Sequence, residues 1–528
     1  MNVQQTSVNV SGSATDDGGA NITEKGIVWG LSPNPDLTTN KKSSGTGKGS
    51  FSTQITNLEP NTTYYFRSYA TNSKGTAYGQ QLSATTLQVE PQQKVFEGDV
   101  LLTSQQEVND FGAEGYTIIN GSLTVADANN PSTIFSLSPL DHLETVNGNL
   151  TFDGNLMLEK IGDFPNLLFV EGNFVVSGNN ALQTIAGFSK LEQVSGFMWI
   201  HSNESQFTIE GFDGLTQVDG TLSITNYLPG LITGLTGFTN LEHVGGGMAL
   251  GNVDAFINGF GSLRTIDDFL LLQSNDVIEN LSFLENLESI GGELSIQFNA
   301  ALKNLVGLEK IMALNGFKLT RNDSLLSLTG LNNVSLIDGD VSLEYHPLLE
   351  NLNGLNGLQQ IINGSLSVQY NQSMLNLTGL DNVSVIEGGI RLSYNPSLVN
   401  LIGLGGLQSM GDIDSNCFCT GSINIETNEN LTSLDGLDSL TTALYGDITI
   451  RYNPKLTNLN GLRNLQTVLQ NPSDSGISVI VEWNSVLDDF CGLKALYENY
   501  PSAFQVNFSL LFNATESVDI ATAVSGCS

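Results

Sequence analysis

The chain has 528 residues, with 54 Asp and Glu against 19 Lys and Arg, which gives a formal net charge of −35. A negative field of this strength repels nucleic acid and anionic lipid surfaces, and no run of 18 apolar residues is present to span a bilayer. We therefore expect no nucleic-acid partner and no direct membrane insertion. The length fits either several ordinary domains or one small domain followed by a long repeat array.

Residues 1–87 alternate apolar and polar side chains between turn clusters, a pattern that predicts a β-sandwich of short strands. The expected strands are Val8–Val10, Ile27–Trp29, Phe51–Ile55 and Tyr64–Ala70. The run LEPNTTYYFRSYATNSKGTAYG, at 58–79, resembles the second half of a fibronectin type III-like domain. In that family a Tyr hydroxyl ties a crossing loop to the sandwich. The resemblance places this tyrosine corner at Leu58, Pro60, Thr63 and Tyr65.

The start of the chain departs from that family. The family has a strand before the one expected at 6–12, and only five residues precede it here, so we expect the first strand to be missing. The N-terminus MNVQQTSVNV lacks the basic start and apolar core of a signal peptide. The stretch GGANITEKGIVWG, at 18–30, is similar to the version found in bacterial surface proteins. The resemblance therefore implies an exported fragment, lacking its signal peptide, from a bacterial cell surface.

Residues 88–95 (LQVEPQQK) are predicted to form a linker, because they contain a proline and have no apolar periodicity. Residues 96–120 are predicted to form an N-terminal cap, since a bare strand edge would recruit other chains. Ser104 and Glu107 fit a capping box at the start of a short helix. Val108 and Phe111 lie on the single apolar side of that helix.

Residues 121–484 repeat the pattern G-x-L-x-I-x-x-N with a period near 24. Such a period marks a solenoid in which each coil contributes one short strand and a return path. The fifteen expected parallel strands belong to motifs that start at 121, 148, 172, 196, 220, 246, 268, 292, 315, 339, 364, 388, 421, 446 and 477. The predicted fold is therefore all-β dominated, with a β-sandwich followed by a long single-stack β-solenoid of about 15 coils and short helical caps.

The L-x-I-x-x-N core resembles the LxLxxN of leucine-rich repeats, in which the Asn side chain bonds backbone groups of the neighbouring coil. The longer pattern N-x-x-L-x-x-L-x-G-L-x-x-L-x-x-I-x-G more closely resembles the receptor L domain over roughly 97–528. In animals that family forms ligand-binding lobes of cell-surface receptors, and bacterial surface proteins carry long versions. The resemblance implies the fold, whereas a fold does not fix a ligand.

Residues 485–528 are predicted to form a C-terminal cap, with a helix over 485–500 that ends before Pro501. Cys491 and Cys527 are expected to form a disulfide in this cap. Cys417 and Cys419 lie together in an insertion, and they either bridge each other or stay as thiols. An oxidising extracellular setting favours bridges.

No spacing in the sequence marks a catalytic, metal or cofactor site. The four histidines fall in different coils, and we interpret them as ordinary solvent-facing side chains: His142, His201, His243 and His346. Neither a zinc-type Cys pair nor a metalloprotease motif, a P-loop or a dinucleotide fingerprint is present. We expect a non-catalytic protein with no cofactor.

One position of the repeat has a distinctive composition. It lies immediately before the final Asn of each motif, and we call it the ladder position. Over the last eight coils it reads Phe298, Arg321, Tyr345, Tyr370, Tyr394, Thr427, Tyr452 and Trp483. Flat rings with polar tips suit stacking on sugars or on a protein partner, and Gln297 and Gln369 beside them offer hydrogen bonds. Alternatively, the rings bury one another and stiffen the solenoid.

Three functions follow from this sequence. The first is a non-catalytic extracellular binding or adhesion protein that binds a carbohydrate or a cell-surface protein on the solenoid sheet face. The second is a structural stalk or spacer of a larger surface protein. The third is a glycan-binding component of a polysaccharide-uptake system. Open and exposed rings favour binding, whereas mutually buried rings favour a stalk, and the oligomeric state stays open.

Overall fold

The computed structural model describes residues 1–88, 93–127, 132–253, 257–411, 420–444, 446–469, 477–499, 506–514 and 518–527. The chain divides into two compact units, Met1–Gln93 and Lys94–Ser528. The fold is all-β, with a sheet-rich first unit and a parallel β-solenoid of about 15 turns in the second.

The first unit contains two antiparallel sheets around a shared apolar core. The strands of one sheet, in order, are Asn2–Val3, Val8–Ala14 and Gly49–Ile55. Those of the other are Asn40–Ser43, Glu24–Gly30, Thr63–Asn72 and Gly75–Tyr78, with Leu82–Thr85 also paired to Thr63–Asn72. Val8, Ile27 and Phe66 meet in the core and are fully buried. All four strands expected here are present, and a two-residue strand precedes them.

The tyrosine at the crossing loop of this unit is Tyr64 and not Tyr65. The Glu59 N–H donates to the Tyr64 hydroxyl over 3.0 Å, and the Tyr64 ring is buried. Strand alternation explains the difference, because adjacent residues point to opposite faces and Tyr65 lies on the outer one. Membership of the fibronectin type III family stays a prediction.

The second unit is organised by a parallel sheet that receives one strand from each coil. Fifteen strands lie where the motif predicts them: Leu123–Ala126, Leu150–Asp153, Phe174–Ser177, Met198–His201, Leu222–Thr225, Met248–Gly251, Leu270–Gln273, Leu294–Gln297, Phe317–Thr320, Val341–Glu344, Leu366–Gln369, Ile390–Ser393, Ile423–Glu426, Ile448–Arg451 and Ile477–Glu482. Val100–Leu102 precedes them and Val506–Ser509 follows them, which brings the sheet to 17 strands. The solenoid fold is therefore confirmed, and the sheet extends one strand into each segment predicted as a cap.

Shorter strands line the return paths of the coils in three further parallel sheets. The first contains Val95–Glu97, Ile118–Asn120, Thr145–Val146, Phe169–Val170, Gln193–Val194, Gln217–Val218, His243–Val244, Thr265–Ile266 and Ser289–Ile290. The second contains Ala313–Leu314, Leu336–Asp338, Gln360–Ile362, Val385–Ile386, Ser409–Met410, Thr442–Leu444 and Thr467–Leu469. The third contains Lys160–Ile161, Thr184–Ile185, Phe207–Ile209 and Ile232–Leu235.

Helices are short and lie mainly towards the ends of the second unit. The α-helices are Gln105–Ala113, Lys494–Asn499 and Ile520–Val524, and the 3₁₀ turns are Ser138–Leu140, Ser282–Leu284, Asn460–Leu462 and Cys491–Leu493. Ser104 caps the first helix by accepting from the Glu107 N–H over 3.3 Å, as the capping box predicts. The helix expected over 485–500 is shorter than predicted, because Asp489 forms a bridge with Asn458 of the preceding coil instead.

The cysteine predictions have two outcomes. Cys491 and Cys527 form the expected disulfide, with a Cα–Cα distance of 5.4 Å. Cys417 and Cys419 lie outside the described residues, so their pairing stays a prediction.

A column of buried asparagines, present in most coils, closes the C-terminal ends of the sheet strands. Each side-chain oxygen accepts a backbone N–H from the coil before it, and each amide donates to a strand carbonyl there. The N–H usually belongs to the preceding Asn of the column, but Asn155, Asn275 and Asn371 accept from Asp127, Val253 and His346. Asn453, for example, accepts from the Asn428 N–H over 3.0 Å and donates to the Ile425 carbonyl over 2.9 Å. The fully buried members are Asn155, Asn179, Asn203, Asn275, Asn299, Asn322, Asn371, Asn395, Asn428, Asn453 and Asn484. This column satisfies polar backbone groups that the core would otherwise leave unpaired.

His346 takes the place of an asparagine in this column and is completely buried, so its interpretation as solvent-facing was wrong. Its Nδ1 accepts the Asn322 N–H over 3.3 Å, while its Nε2 has no partner of good hydrogen-bond geometry, although the Leu319 carbonyl lies close to the ring. Burial lowers the pKa of His346 to about 4. The ring is therefore neutral near pH 7, and it retains an unsatisfied buried polar atom.

Candidate functional site

The ladder position has an unusual backbone conformation that recurs from coil to coil. Its φ is positive, from +53° at Arg321 to +62° at Tyr345, and Gly154 and Gly178 hold the same position in early coils at +67° and +66°. Glycine adopts this left-handed region freely, whereas a bulky L-residue is disfavoured there by roughly 1–2 kcal/mol. The aromatic side chains of the later coils are therefore kept at a backbone cost.

Three of the predicted residues form one continuous stack of rings. Tyr345 and Tyr370 lie 4.5 Å apart between ring centroids with planes 1° apart, and Tyr370 and Tyr394 lie 4.6 Å apart at 6°. The Arg321 guanidinium covers the outer face of Tyr345 at 4.7 Å. Because the rings repeat at the spacing of the strands, each face inside the stack is covered by its neighbour.

A second stack occupies the end of the same row. Tyr452 and Trp483 lie 6.1 Å apart, and Trp483 and Phe512 lie 4.0 Å apart. Phe512 was missed by the sequence analysis, although residues 506–513 (VNFSLLFN) continue the apolar spacing and the final Asn of the motif. Phe298 belongs to neither stack, since Arg321 separates it from Tyr345, and its ring is exposed.

Thr427 separates the two stacks. It lies one coil after Tyr394 and one coil before Tyr452, at a φ of +58° that matches theirs. Among the described rings Tyr394 stacks on Tyr370 and Tyr452 on Trp483, so each has one face directed towards Thr427 without a ring against it. A β-branched residue is among the least suited to this backbone region.

A groove of about 290 Å³ runs beside the first stack, and we call it the ladder groove. Its lining includes Tyr345, Tyr370, Tyr394 and Thr427 from the ladder position. The lining also includes three residues that follow the asparagine column: Gln372, Pro396 and Glu429. The groove thus combines aromatic surface with amide, carboxylate and phenol groups. The sequence analysis missed the last three residues because they lie beyond the motif.

The two glutamines predicted beside the rings face elsewhere. The Gln297 amide donates to the Ser295 hydroxyl over 2.6 Å, and the Gln369 amide donates to the Ser367 hydroxyl over 2.8 Å. These serines lie on the outer face of the sheet, where a wider depression of about 600 Å³ contains Ser342, Ser367, Gln369 and Arg391 among other residues. We call this the sheet-face groove. It is polar and carries none of the stacked rings.

The central phenol of the stack, Tyr370, retains its proton. Burial raises the pKa of Tyr370 above its ordinary value, and the neighbouring phenols Tyr345 and Tyr394 add to the effect. A neutral phenol both donates and accepts hydrogen bonds, so the edge of the stack offers both functions to a ligand in the groove.

The described part of the chain shows neither a metal-binding cluster nor a membrane-spanning helix. It brings together no group of three or more His, Cys, Asp or Glu that could hold a metal ion. None of the described helices has the length and apolar character needed to cross a bilayer.

Comparison with known families gives one match. Residues 359–468 match the Receptor L domain model, and this segment contains Tyr370, Tyr394, Thr427 and Tyr452. No curated protein matches the chain, and no solved structure matches it. The matched segment and the solenoid are non-enzymatic folds, associated with ligand-binding or structural roles. Together with the disulfide, the match is consistent with an exported protein.

Proposed function

We propose that this protein is a non-catalytic binding protein of the bacterial cell surface that holds a glycan in the ladder groove. The observation that carries the proposal is the groove itself, which three stacked tyrosines line together with Gln372 and Glu429. Sugars present apolar C–H faces and a rim of hydroxyls, and a protein recognises them with aromatic rings and a few polar groups.

The stacking alone does not account for this arrangement. Ring contacts contribute roughly 0.5–1.5 kcal/mol per pair, which offsets much of the left-handed backbone cost, so stability explains why neighbouring rings stay together. It does not explain why amide and carboxylate side chains line the other side of the row. Glu429 and Gln372 are exposed, and they lie where they can accept and donate hydrogen bonds to sugar hydroxyls.

A glycan-array screen of the full chain tests the proposal. The matched variant is Tyr345→Gly/Tyr370→Gly/Tyr394→Gly, in which glycine keeps the left-handed backbone while the rings are removed. Circular dichroism and thermal unfolding check that the variant is folded. We expect glycan signals from the wild-type chain that disappear in the variant. Signals that persist in the folded variant would place the binding elsewhere.

A structural spacer is the second candidate, and the face-to-face stacking favours it. Tyr345 and Tyr370 are half-buried by their neighbours, as mutual stiffening requires. An array without any hit for the wild-type chain would support the spacer and contradict the glycan proposal. A protein ligand would then be sought by pull-down from surface extracts with the full chain.

A further inference from the structure

We infer that the break in the ladder at Thr427 is a slot for a single pyranose ring, held between the facing sides of Tyr394 and Tyr452. The inference rests on the proposed function and names the part of the ladder that recognises the sugar. Its basis is the one coil between the two stacks that places no ring at the ladder position.

The width of the slot follows from the geometry of the solenoid. Backbone hydrogen bonds run from the Tyr394 N–H to the Glu426 carbonyl and from the Thr427 N–H to the Arg451 carbonyl, so the three coils are direct neighbours. Adjacent strands lie about 4.7–4.9 Å apart, so the backbones at Tyr394 and Tyr452 are about 9.5 Å apart along the stack. The 4.5 and 4.6 Å ring separations in the first stack agree with that spacing.

That width is close to the space that Tyr370 fills between Tyr345 and Tyr394, so the slot accepts one ring-sized group. A puckered pyranose with axial hydrogens is at least as thick as an aromatic ring and fills this space. A C–H face of the sugar would then lie against each tyrosine, which is the surface that aromatic rings bind best in a carbohydrate.

The side chains around the slot fit the rim of a sugar. Thr427 and Glu429 belong to the coil between the two walls, and both line the ladder groove. A hydroxyl and a carboxylate can hydrogen-bond hydroxyl groups around a pyranose, and the phenols of the walls supply further donors and acceptors. The choice of threonine at a position that favours glycine is then explained by its small, polar side chain, which leaves the slot open.

Filling the slot is the direct test. Thr427→Tyr adds a ring in a backbone conformation that already holds Tyr394 and Tyr452, so the variant is expected to fold and to join the two stacks. The matched control is Ser274→Tyr, which adds the same side chain at a ladder position of equal conformation outside the groove. Tyr394→Gly removes one wall without filling the slot, and thermal unfolding checks each variant.

The measurement is saturation-transfer NMR of the full chain with a mixture of the methyl pyranosides of glucose, galactose, mannose and N-acetylglucosamine. We expect transfer to at least one sugar with the wild-type chain and with Ser274→Tyr. It should fall to background in Thr427→Tyr and weaken roughly two- to tenfold in Tyr394→Gly.

The remaining outcomes separate the slot from the proposed function. Unchanged transfer in folded Thr427→Tyr would overturn the slot, while an array signal lost in the triple-glycine variant would still support glycan binding in the groove. No transfer to any pyranoside would also overturn the slot, and the array alone would then decide the proposed function. A loss of transfer in Ser274→Tyr equal to that in Thr427→Tyr would overturn the slot as well.

Discussion

Replacing ladder residues by glycine should leave the protein more stable than replacing them by alanine, which reverses the usual order of these two residues. Phe298, Tyr345 and Tyr452 are suitable positions because they lie in separate coils and all have a φ between +57° and +62°. Their effects should add, since no ring among the three stacks on another and the glycine–alanine difference is a local backbone effect. Both sets of changes remove the same rings, so the comparison isolates the backbone.

The magnitude follows from two opposing terms. Alanine retains the left-handed strain of roughly 1–2 kcal/mol per site, whereas glycine relieves it. Glycine in turn loses roughly 0.5–1 kcal/mol more chain entropy on folding. The balance favours glycine by about 0.5–1 kcal/mol per site, or about 1.5–3 kcal/mol for the three positions together.

Differential scanning calorimetry of the full chain measures the effect. The second unit, Lys94–Ser528, unfolds with an entropy of roughly 0.9 kcal/mol/K at about 2.1 cal/mol/K per residue, so the triple-glycine variant should melt about 1.5–3 °C above the triple-alanine variant. Equal melting temperatures, or a more stable alanine variant, would refute the left-handed conformation of the ladder position.

Four further predictions concern the asparagine column and the C-terminal disulfide. His346→Asn should stabilise the protein by about 1–2 kcal/mol, because the buried unsatisfied Nε2 is replaced by an amide that can donate to the Leu319 carbonyl; a loss of stability would contradict this. The pKa of His346 lies near 4 when folded and near 6.5 when unfolded, so the unfolded chain takes up the proton first as the pH falls. Wild-type stability should therefore drop by about 3 kcal/mol between pH 6.5 and 4 relative to His346→Asn, and parallel melting curves of the two proteins across that range would argue against the buried neutral ring. Asn453→Ala should lower the free energy of unfolding, measured in urea, by about 3 kcal/mol, because the Asn428 N–H and the Ile425 carbonyl both lose a buried partner. A decrease below about 0.5 kcal/mol, as at a surface site, would count against the column. Cys491→Ser/Cys527→Ser should lower the free energy of unfolding by about 4 kcal/mol, because the disulfide closes a loop between residues that are 36 positions apart. An unchanged free energy of unfolding would show that the bridge does not constrain this segment.

The sequence predicts the solenoid well because each coil repeats the same local physics. Leucines and isoleucines at alternate strand positions face the core, and the final Asn closes the turn, so one alignment locates all fifteen strands. Val100–Leu102 and Val506–Ser509 lie outside that alignment, because the end coils carry only part of the motif. The helix predicted from 485 begins only at Lys494, because residues before it include a long-range bridge at Asp489 that no local pattern contains.

The candidate site was predictable only in part. The row of rings is visible in the sequence, and so is the glycine at the same position in early coils, which was the available signal for the left-handed backbone. Alignment of His346 with the asparagine column could likewise have indicated its burial. By contrast, Gln369 bonds a serine on the sheet face, whereas Glu429 lines the groove. The direction of each side chain is set by the local backbone at the turn, which sequence spacing alone does not specify.

The most direct test of the account compares its two candidate surfaces with one ligand. The strongest glycan from the array is titrated calorimetrically into the wild-type chain, the triple-glycine ladder variant at 345, 370 and 394, and Ser342→Ala/Ser367→Ala in the sheet-face groove. We predict at least a tenfold loss of affinity, or about 1.4 kcal/mol, in the ladder variant and unchanged affinity in the sheet-face variant. Unchanged affinity in the ladder variant with a loss in the sheet-face variant would contradict the account.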